Sequence, residues 1–246
     1  MEFAVVMEAA LLGLVAGGCS IALAGWLPRF LEAHWSLDEE QVGEGLGVFL
    51  AALSRMKPGS TRVSPATVIV CCAVLAGAGL LAALRWGSPA SVGLFVLYAA
   101  MLATAALVDA EHQIIPDVIV LPLLWGGLLV NCAGTFAPLQ SAVIGAVAGY
   151  CSLWGLNFLF QLAAGQSGMY KGDFKMFAAI GAWAGAQALV AVLVGALLLF
   201  ALAAGVGLLA RADGRRETPF GPYLAIAGAG VLVLGDTASL FPHLLP

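Results

Sequence analysis

The sequence predicts an all-α integral membrane protein, a polytopic bundle of about eight transmembrane helices, and three observations carry that expectation. Hydrophobic residues make up 62% of the 246 residues and charged residues only 10%, where an ordinary soluble domain is roughly 45–50% apolar. Apolar runs recur at the length, about 20 residues, that a helix needs to cross about 30 Å of hydrocarbon. The 31 glycines suit helices that pack closely in lipid, because small residues let backbones approach. Mean hydropathy is +1.01, and no basic stripe of the kind that binds nucleic acid is present.

In chain order the expected spans are Phe3 to Trp26, Ala66 to Leu84, Ala90 to Val108, Val118 to Phe136, Ala142 to Ala164, Gln187 to Leu209 and Pro222 to Leu240. An eighth run, Phe174 to Ala186, has 13 residues, marginal for a span; a short helix, a re-entrant segment and an extension of its neighbour all fit it. The first span is long for a signal-peptide core and has no basic residues before it, so it reads as retained. Gly77, Gly79, Gly145, Gly149, Gly181 and Gly185 are the expected helix contact points. A loop from about residue 28 to 65 is too short for an independent soluble domain; Asp38 to Leu50 within it reads as an amphipathic helix that lies on the membrane surface or covers neighbouring helices. No internal repeat is found, so one membrane domain over 1–246 is the economical organisation.

Lysine and arginine set the orientation. With eight spans and an outside N-terminus, Arg29, Arg55, Lys57, Arg62, Lys171, Lys175, Arg211, Arg215 and Arg216 fall inside and Arg85 alone falls outside, a strong positive-inside bias. If the short run does not span, the last two segments invert and the final basic cluster moves outside. The five cysteines, Cys19, Cys71, Cys72, Cys132 and Cys151, fall inside expected helices without a CxxC pair. They read as small buried apolar residues, and neither zinc nor a disulfide framework is indicated.

Two carboxylates stand out from this background. Asp109 closes the apolar run that ends at Val108, and Asp173 opens the one that begins at Phe174; an ionised carboxylate at the edge of hydrocarbon costs several kcal/mol unless water, a proton or a partner relieves it. Around the first, the chain reads Val108-Asp109-Ala110-Glu111-His112-Gln113-Ile114-Ile115-Pro116-Asp117. Pro116 suits the position just before a helix, and Asp117 beside that N-terminus reads as a cap, with a catalytic part as its alternative. Glu111 and His112 read as solvated. Around the second, Gly168-Met169-Tyr170-Lys171-Gly172-Asp173-Phe174-Lys175 places Gly172 where close backbone approach helps to set a carboxylate. Asp173 there reads equally as a helix N-cap, and Lys175 as a membrane anchor or as a residue orienting the site. Paired carboxylates that share a proton have their pKa values pushed apart, one serving as base and one as acid. Activation of water for attack on a peptide carbonyl fits such a pair.

These two segments resemble the type IV prepilin peptidases, membrane aspartic proteases that process prepilins and type II secretion pseudopilins. Ala178-Ala179-Ile180-Gly181-Ala182-Trp183 extends the second motif, and Thr218-Pro219-Phe220-Gly221-Pro222-Tyr223-Leu224-Ala225-Ile226-Ala227-Gly228 matches at the last helix. Leu27-Pro28-Arg29 sits where the family has a Leu-Pro turn after its first helix. The resemblance implies a multi-pass protein of the bacterial inner membrane that cuts prepilin leaders at the cytoplasmic face. It implies Asp109 and Asp173 as the catalytic pair, prepilin or pseudopilin N-terminal segments as partners, and proteolysis without a cofactor or metal; Gly172, Lys175, Asp117 and Gly168 are expected from their place in the two segments to support the pair. The chain departs from the family at three places. Tyr170 stands where the pattern Gly-x-Gly-Asp has its first glycine, and a positive φ there would strain tyrosine by roughly 1–3 kcal/mol. The zinc-binding insert with two CxxC pairs is missing from the first loop, so the resemblance does not extend to methylation by S-adenosylmethionine. Gly17-Gly18-Cys19-Ser20-Ile21 lacks the asparagine of the family's first helix.

Two rivals make different predictions. A proton-coupled transporter needs its acids strung along a transmembrane path. A catalytically impaired relative binds pilins without cutting them.

Overall fold

A computed structural model describes residues 2–35, 64–165, 169–209 and 219–235. The amphipathic segment Asp38 to Leu50 and the candidate site residue Gly168 lie outside the described residues. Eight helices are described: α1 (Glu2–Trp35), α2 (Pro65–Trp86), α3 (Pro89–His112), α4 (Asp117–Asn131), α5 (Leu139–Ala164), α6 (Lys171–Ala184), α7 (Ala188–Leu209) and α8 (Gly221–Leu234). Five of them, α1, α2, α3, α5 and α7, are long and apolar enough to cross a membrane, where about eight were expected. The other three, α4, α6 and α8, have 15, 14 and 14 residues. At 1.5 Å per residue they reach roughly 21–22 Å, short of the hydrocarbon thickness.

Caps explain several boundaries. Ser64 caps α2, its hydroxyl accepting from the N–H of Thr67 at 3.1 Å, and Pro65 follows where a missing N–H costs nothing. Gly87, with φ 61°, ends α2 in the left-handed conformation that glycine adopts without penalty, and α3 begins two residues later. The expected Leu-Pro turn after the first helix is not found: α1 continues through Pro28 to Trp35. The fourth run stops at Asn131 rather than Phe136 because Asn131 turns the chain. Its amide nitrogen donates to the carbonyls of Ala182 and Trp183 at 2.8 and 2.9 Å, and its oxygen accepts from the N–H groups of Phe136 and Ala137, both at 3.0 Å. A buried side chain that satisfies four groups at once fixes the end of α4 to the end of α6.

Helix directions follow from which residues meet. Gly79 faces Ala9 and Gly17 faces Cys72, so α1 and α2 are antiparallel. Gly149 faces Phe177 and Gly145 faces Gly181, so α5 and α6 are antiparallel, and Gly195 beside Ala227 with Phe200 beside Phe220 orients α7 against α8 in the same way. A Cβ on Gly149 would lie 2.9 Å from the Phe177 carbonyl oxygen and one on Gly79 would lie 2.5 Å from that of Ala9; these contacts exist because the residues are glycine. Gly77 was expected among them and instead faces open space, whereas Gly13 and Gly17 make α1–α2 contacts that the sequence reading did not single out.

The short helix α6 is the centre of the bundle. From Asp173 to Ala184 every residue except Lys175 is buried, against α5, α4 and α8. The outer helices present the opposite pattern, with Leu129, Leu162, Leu198 and Leu84 each about two-thirds exposed or more, as lipid-facing residues are. The 13-residue run is therefore a short helix inside the protein, where irregular ends are covered by other helices rather than by lipid; it still carries the chain from the end of α5 back to its start, where the Ala186 N–H meets the Ser141 carbonyl, so the last two segments do not invert. The cysteines correct a further expectation: Cys19, Cys132 and Cys151 are exposed and Cys71 and Cys72 half-buried, all as free thiols.

Candidate active site

Asp109 occupies the last turn of α3, and its carbonyl accepts from the N–H of Gln113 at 2.8 Å. Gln113 adopts φ 56°, a left-handed conformation that costs a non-glycine residue about 1–2 kcal/mol, and so reverses the chain into the 114–116 connection. A carboxylate at a helix C-terminus faces the negative end of the helix dipole. Asp109 nonetheless is only 5% exposed, and what offsets its position is an N–H from another element. The amide of Gly221, at the first position of α8, donates to Asp109 Oδ2 at 3.0 Å in a buried setting.

Asp173 lies in the first turn of α6 and is 3% exposed. It is not the N-cap; Tyr170 is, and Asp173 is the third helical residue, whose Oδ2 accepts from the N–H of Tyr170 at 3.3 Å. That is the carboxylate half of a capping box. Tyr170 has φ −88° and ψ 152°, ordinary extended backbone, so the strain expected from a tyrosine at the motif-glycine position is absent. Burial first, and the charge of Asp109 second, push the Asp173 carboxyl up to about 7, against the lowering effect of the Tyr170 N–H. Ile115 lies beside both Gly172, which precedes Asp173, and Gly221, which meets Asp109, so both aspartates are at one end of the bundle, contrary to the string of acids that a transporter path needs.

The supporting residues fall into two groups. Gly172 packs against the 113–116 connection, where a Cβ would lie 2.8 Å from Ile115 Cβ. Lys175 reaches back to Asp117, its Nζ 2.6 and 2.8 Å from the two carboxylate oxygens. Asp117 is the first residue of α4, an acid in the first turn where the helix dipole favours it, and its ion-pair partner is Lys175. Both contacts join the first aspartate segment to the second. Glu111 and His112 are exposed and 3.8 Å apart. Sequence reading missed Gly221: the motif around it matched, yet only the fold brings it to Asp109. Asn131 and Trp183, whose Nε1 donates to the Leu123 carbonyl at 2.7 Å, were also missed as the bonds that hold α6 in place.

The fold and this site define a multi-pass helical membrane protein with two buried aspartates converging from separate helices. Residues 95–210, which include both aspartates, match the type IV leader peptidase family, and the chain carries a domain of that family. Similar proteins include the prepilin leader peptidase/N-methyltransferase of Pseudomonas aeruginosa, 45% identical over 153 residues covering 62% of this chain and 53% of that protein. That of Aeromonas salmonicida is 46% identical over 153 residues, covering 62% and 51%. That of Pseudomonas putida is 41% identical over 191 residues, covering 76% and 65%. The chain thus spans about half to two-thirds of the length of these relatives. No solved structure matches it.

Proposed function

We propose that this protein is an aspartic endopeptidase that removes the leader of type IV prepilins or type II secretion pseudopilins at the cytoplasmic face of the bacterial inner membrane. The observation that carries the proposal is the pair itself: Asp109 and Asp173, both buried, from helices of different segments, close enough that the charge of Asp109 helps to raise Asp173 toward neutrality. Two carboxylates so coupled retain one proton up to about neutral pH, and they titrate as a pair rather than as separate residues. The ionised member takes a proton from water as its oxygen attacks the scissile carbonyl, and the protonated member delivers its proton to the leaving amine. Gly172 and the Lys175–Asp117 ion pair hold the two segments in register. The Tyr170 backbone is free of strain, which supports an active member over an impaired one at this position.

Orientation supports the cytoplasmic placement. Lys171 and Lys175 lie at the aspartate-bearing end of the bundle, and the antiparallel pairing of α1 with α2 brings the end of α1, with Arg29, to that end as well. Arg85 lies at the opposite end, where its guanidinium donates to the Gly235 carbonyl at 2.9 Å. The proposal covers proteolysis and not the methylation in the relatives' names, because the groups brought together are carboxylates and much of each relative is unmatched. Co-expression with a prepilin, followed by gel shift, tests it. Asp109→Asn and Asp173→Asn are each expected to slow leader removal by about 10²–10⁴-fold; continued processing by both variants would sink the mechanism.

A further inference from the structure

We propose that Gly221 is a positioning residue for the catalytic pair, its main-chain N–H aiming the Asp109 carboxylate from the first turn of α8. The proposal rests on the peptidase reading above, and it assigns a function to a residue beyond the 95–210 segment that matches the family.

The local geometry leaves this amide nothing else to do. The first amides of a helix have no carbonyl within the helix to bond. Pro222 has no N–H, and those of Tyr223 and Leu224 turn back to the Phe220 carbonyl at 3.1 and 3.2 Å. Gly221 is therefore the amide of this turn that points outward, and it points at Asp109 Oδ2. The residue must also be glycine for reasons of space. A Cβ at position 221 would lie 2.5 Å from Asp109 Oδ2, 3.0 Å from its Cγ and 3.2 Å from Ile115 Cδ1, so any side chain displaces either the carboxylate or the helix.

The rest of α8 is arranged to hold that amide still. Leu224, Ala225, Ala227 and Gly228 are buried, and a Cβ on Gly228 would lie 2.8 Å from Ile180 Cδ1 of α6, so α8 packs on the helix that carries Asp173. At the far end Arg85 fastens the Gly235 carbonyl to α2. The helix is thus pinned at both ends, with its positive pole on a carboxylate that its own helix disfavours. A carboxylate that is free to swing by about 1 Å loses on the order of 10²-fold in rate.

The test uses full-length protein co-reconstituted with a purified prepilin in phosphatidylglycerol-containing vesicles. Replacing Gly221 by glycolic acid exchanges the amide for an ester, which removes the N–H, adds no atom and only weakens the Phe220 carbonyl as an acceptor; Gly221→Ala keeps the N–H and adds the clash. Both are expected to lower kcat by about 10- to 100-fold with KM within about twofold of wild type, a split that general loosening of the fold would not give. Wild-type kcat in the ester variant overturns the proposal and leaves the peptidase reading intact. Hydrogen exchange supplies a readout that does not depend on activity. The Gly221 amide is expected to be protected in wild type and in Asp173→Ala and to lose protection in Asp109→Ala; equally fast exchange in all three overturns the positioning role. Absence of cleavage by wild type overturns the peptidase reading instead, and the exchange result then decides the geometry on its own.

Discussion

At the scale of single residues, the two aspartates are buried to nearly the same degree but held by different groups, and Asp173 makes the clearest pH prediction. Its carboxyl is raised from an ordinary 3.8 to about 7 by burial and by Asp109. Between those values the folded protein binds more protons than the unfolded chain, so stability falls as pH rises through that window. Asp173→Asn, which keeps an oxygen to accept from the Tyr170 N–H but carries no charge, is therefore expected to melt at a higher temperature than wild type at pH 8. The gap should close at about pH 4, and a scan in mild detergent at the two pH values measures it. Catalysis shares the sign: leader cleavage is expected to decline as pH rises through about 7, where the pair gives up its proton. A rate that stays flat from pH 6 to 9 would count against a donor with this pKa. Tyr170 makes the opposite kind of prediction. Because its backbone is extended, Tyr170→Gly relieves nothing, and prepilin processing is expected to stay within about twofold of wild type, since glycine adds only backbone freedom to lose. A large gain in processing would show that tyrosine obstructs the site in some other way.

Elements meet here through glycine, and the contacts can be ranked. Gly145 and Gly181 oppose each other so closely that a Cβ on either would strike the other's backbone. Gly145→Ala is expected to push α5 from α6, at a cost of about 1–3 kcal/mol for an overfilled contact, and to reduce cleavage because α6 carries Asp173. Gly77→Ala, facing open space inside α2, is expected to leave activity unchanged and to hold or slightly raise the melting temperature, since alanine has less backbone freedom to lose. Equal effects from the two substitutions would mean that the α5–α6 seam is not what holds the site. Sequence reading identified both residues as contact points and could not separate them, because glycine spacing on a helix does not say which face meets a neighbour. The same limit explains the cysteines, read as buried and found half-buried or exposed: in a lipid-facing helix, apolar character no longer distinguishes inside from outside. The existence of α6 was legible from Phe174 to Ala186, but its burial was not, since a short apolar run looks the same in lipid and in protein. Asp109 and Asp173 were legible because charge is rare in this chain. Gly221 was not, because its contribution is a main-chain N–H that only the packing of α8 on α3 delivers.

The whole molecule has two chemically different ends, and that difference makes the last prediction. At one end α3 finishes with Asp109, while α6 and α8 begin with their positive poles toward the two carboxylates; Lys171, Lys175 and the Asp117–Lys175 pair surround this end. At the other, α2 turns into α3 through Gly87 and Ser88, and Arg85 binds the close of α8. Basic residues favour the cytoplasmic side, so the aspartate end is expected to face the cytoplasm and the Ser88 turn the outside. Single cysteines at these two places measure it, in a background with the five native cysteines changed to alanine. Ser88→Cys sits at a helix start where the serine makes no cap bond, and His112→Cys sits in an exposed last turn, so neither substitution disturbs packing. A membrane-impermeant maleimide is expected to label Ser88→Cys in cells with a permeabilised outer membrane and His112→Cys only in inverted inner-membrane vesicles. The reverse pattern would place both aspartates outside, away from any substrate segment that enters from the cytoplasm, and would remove the proposed reaction even with the carboxylate pair intact.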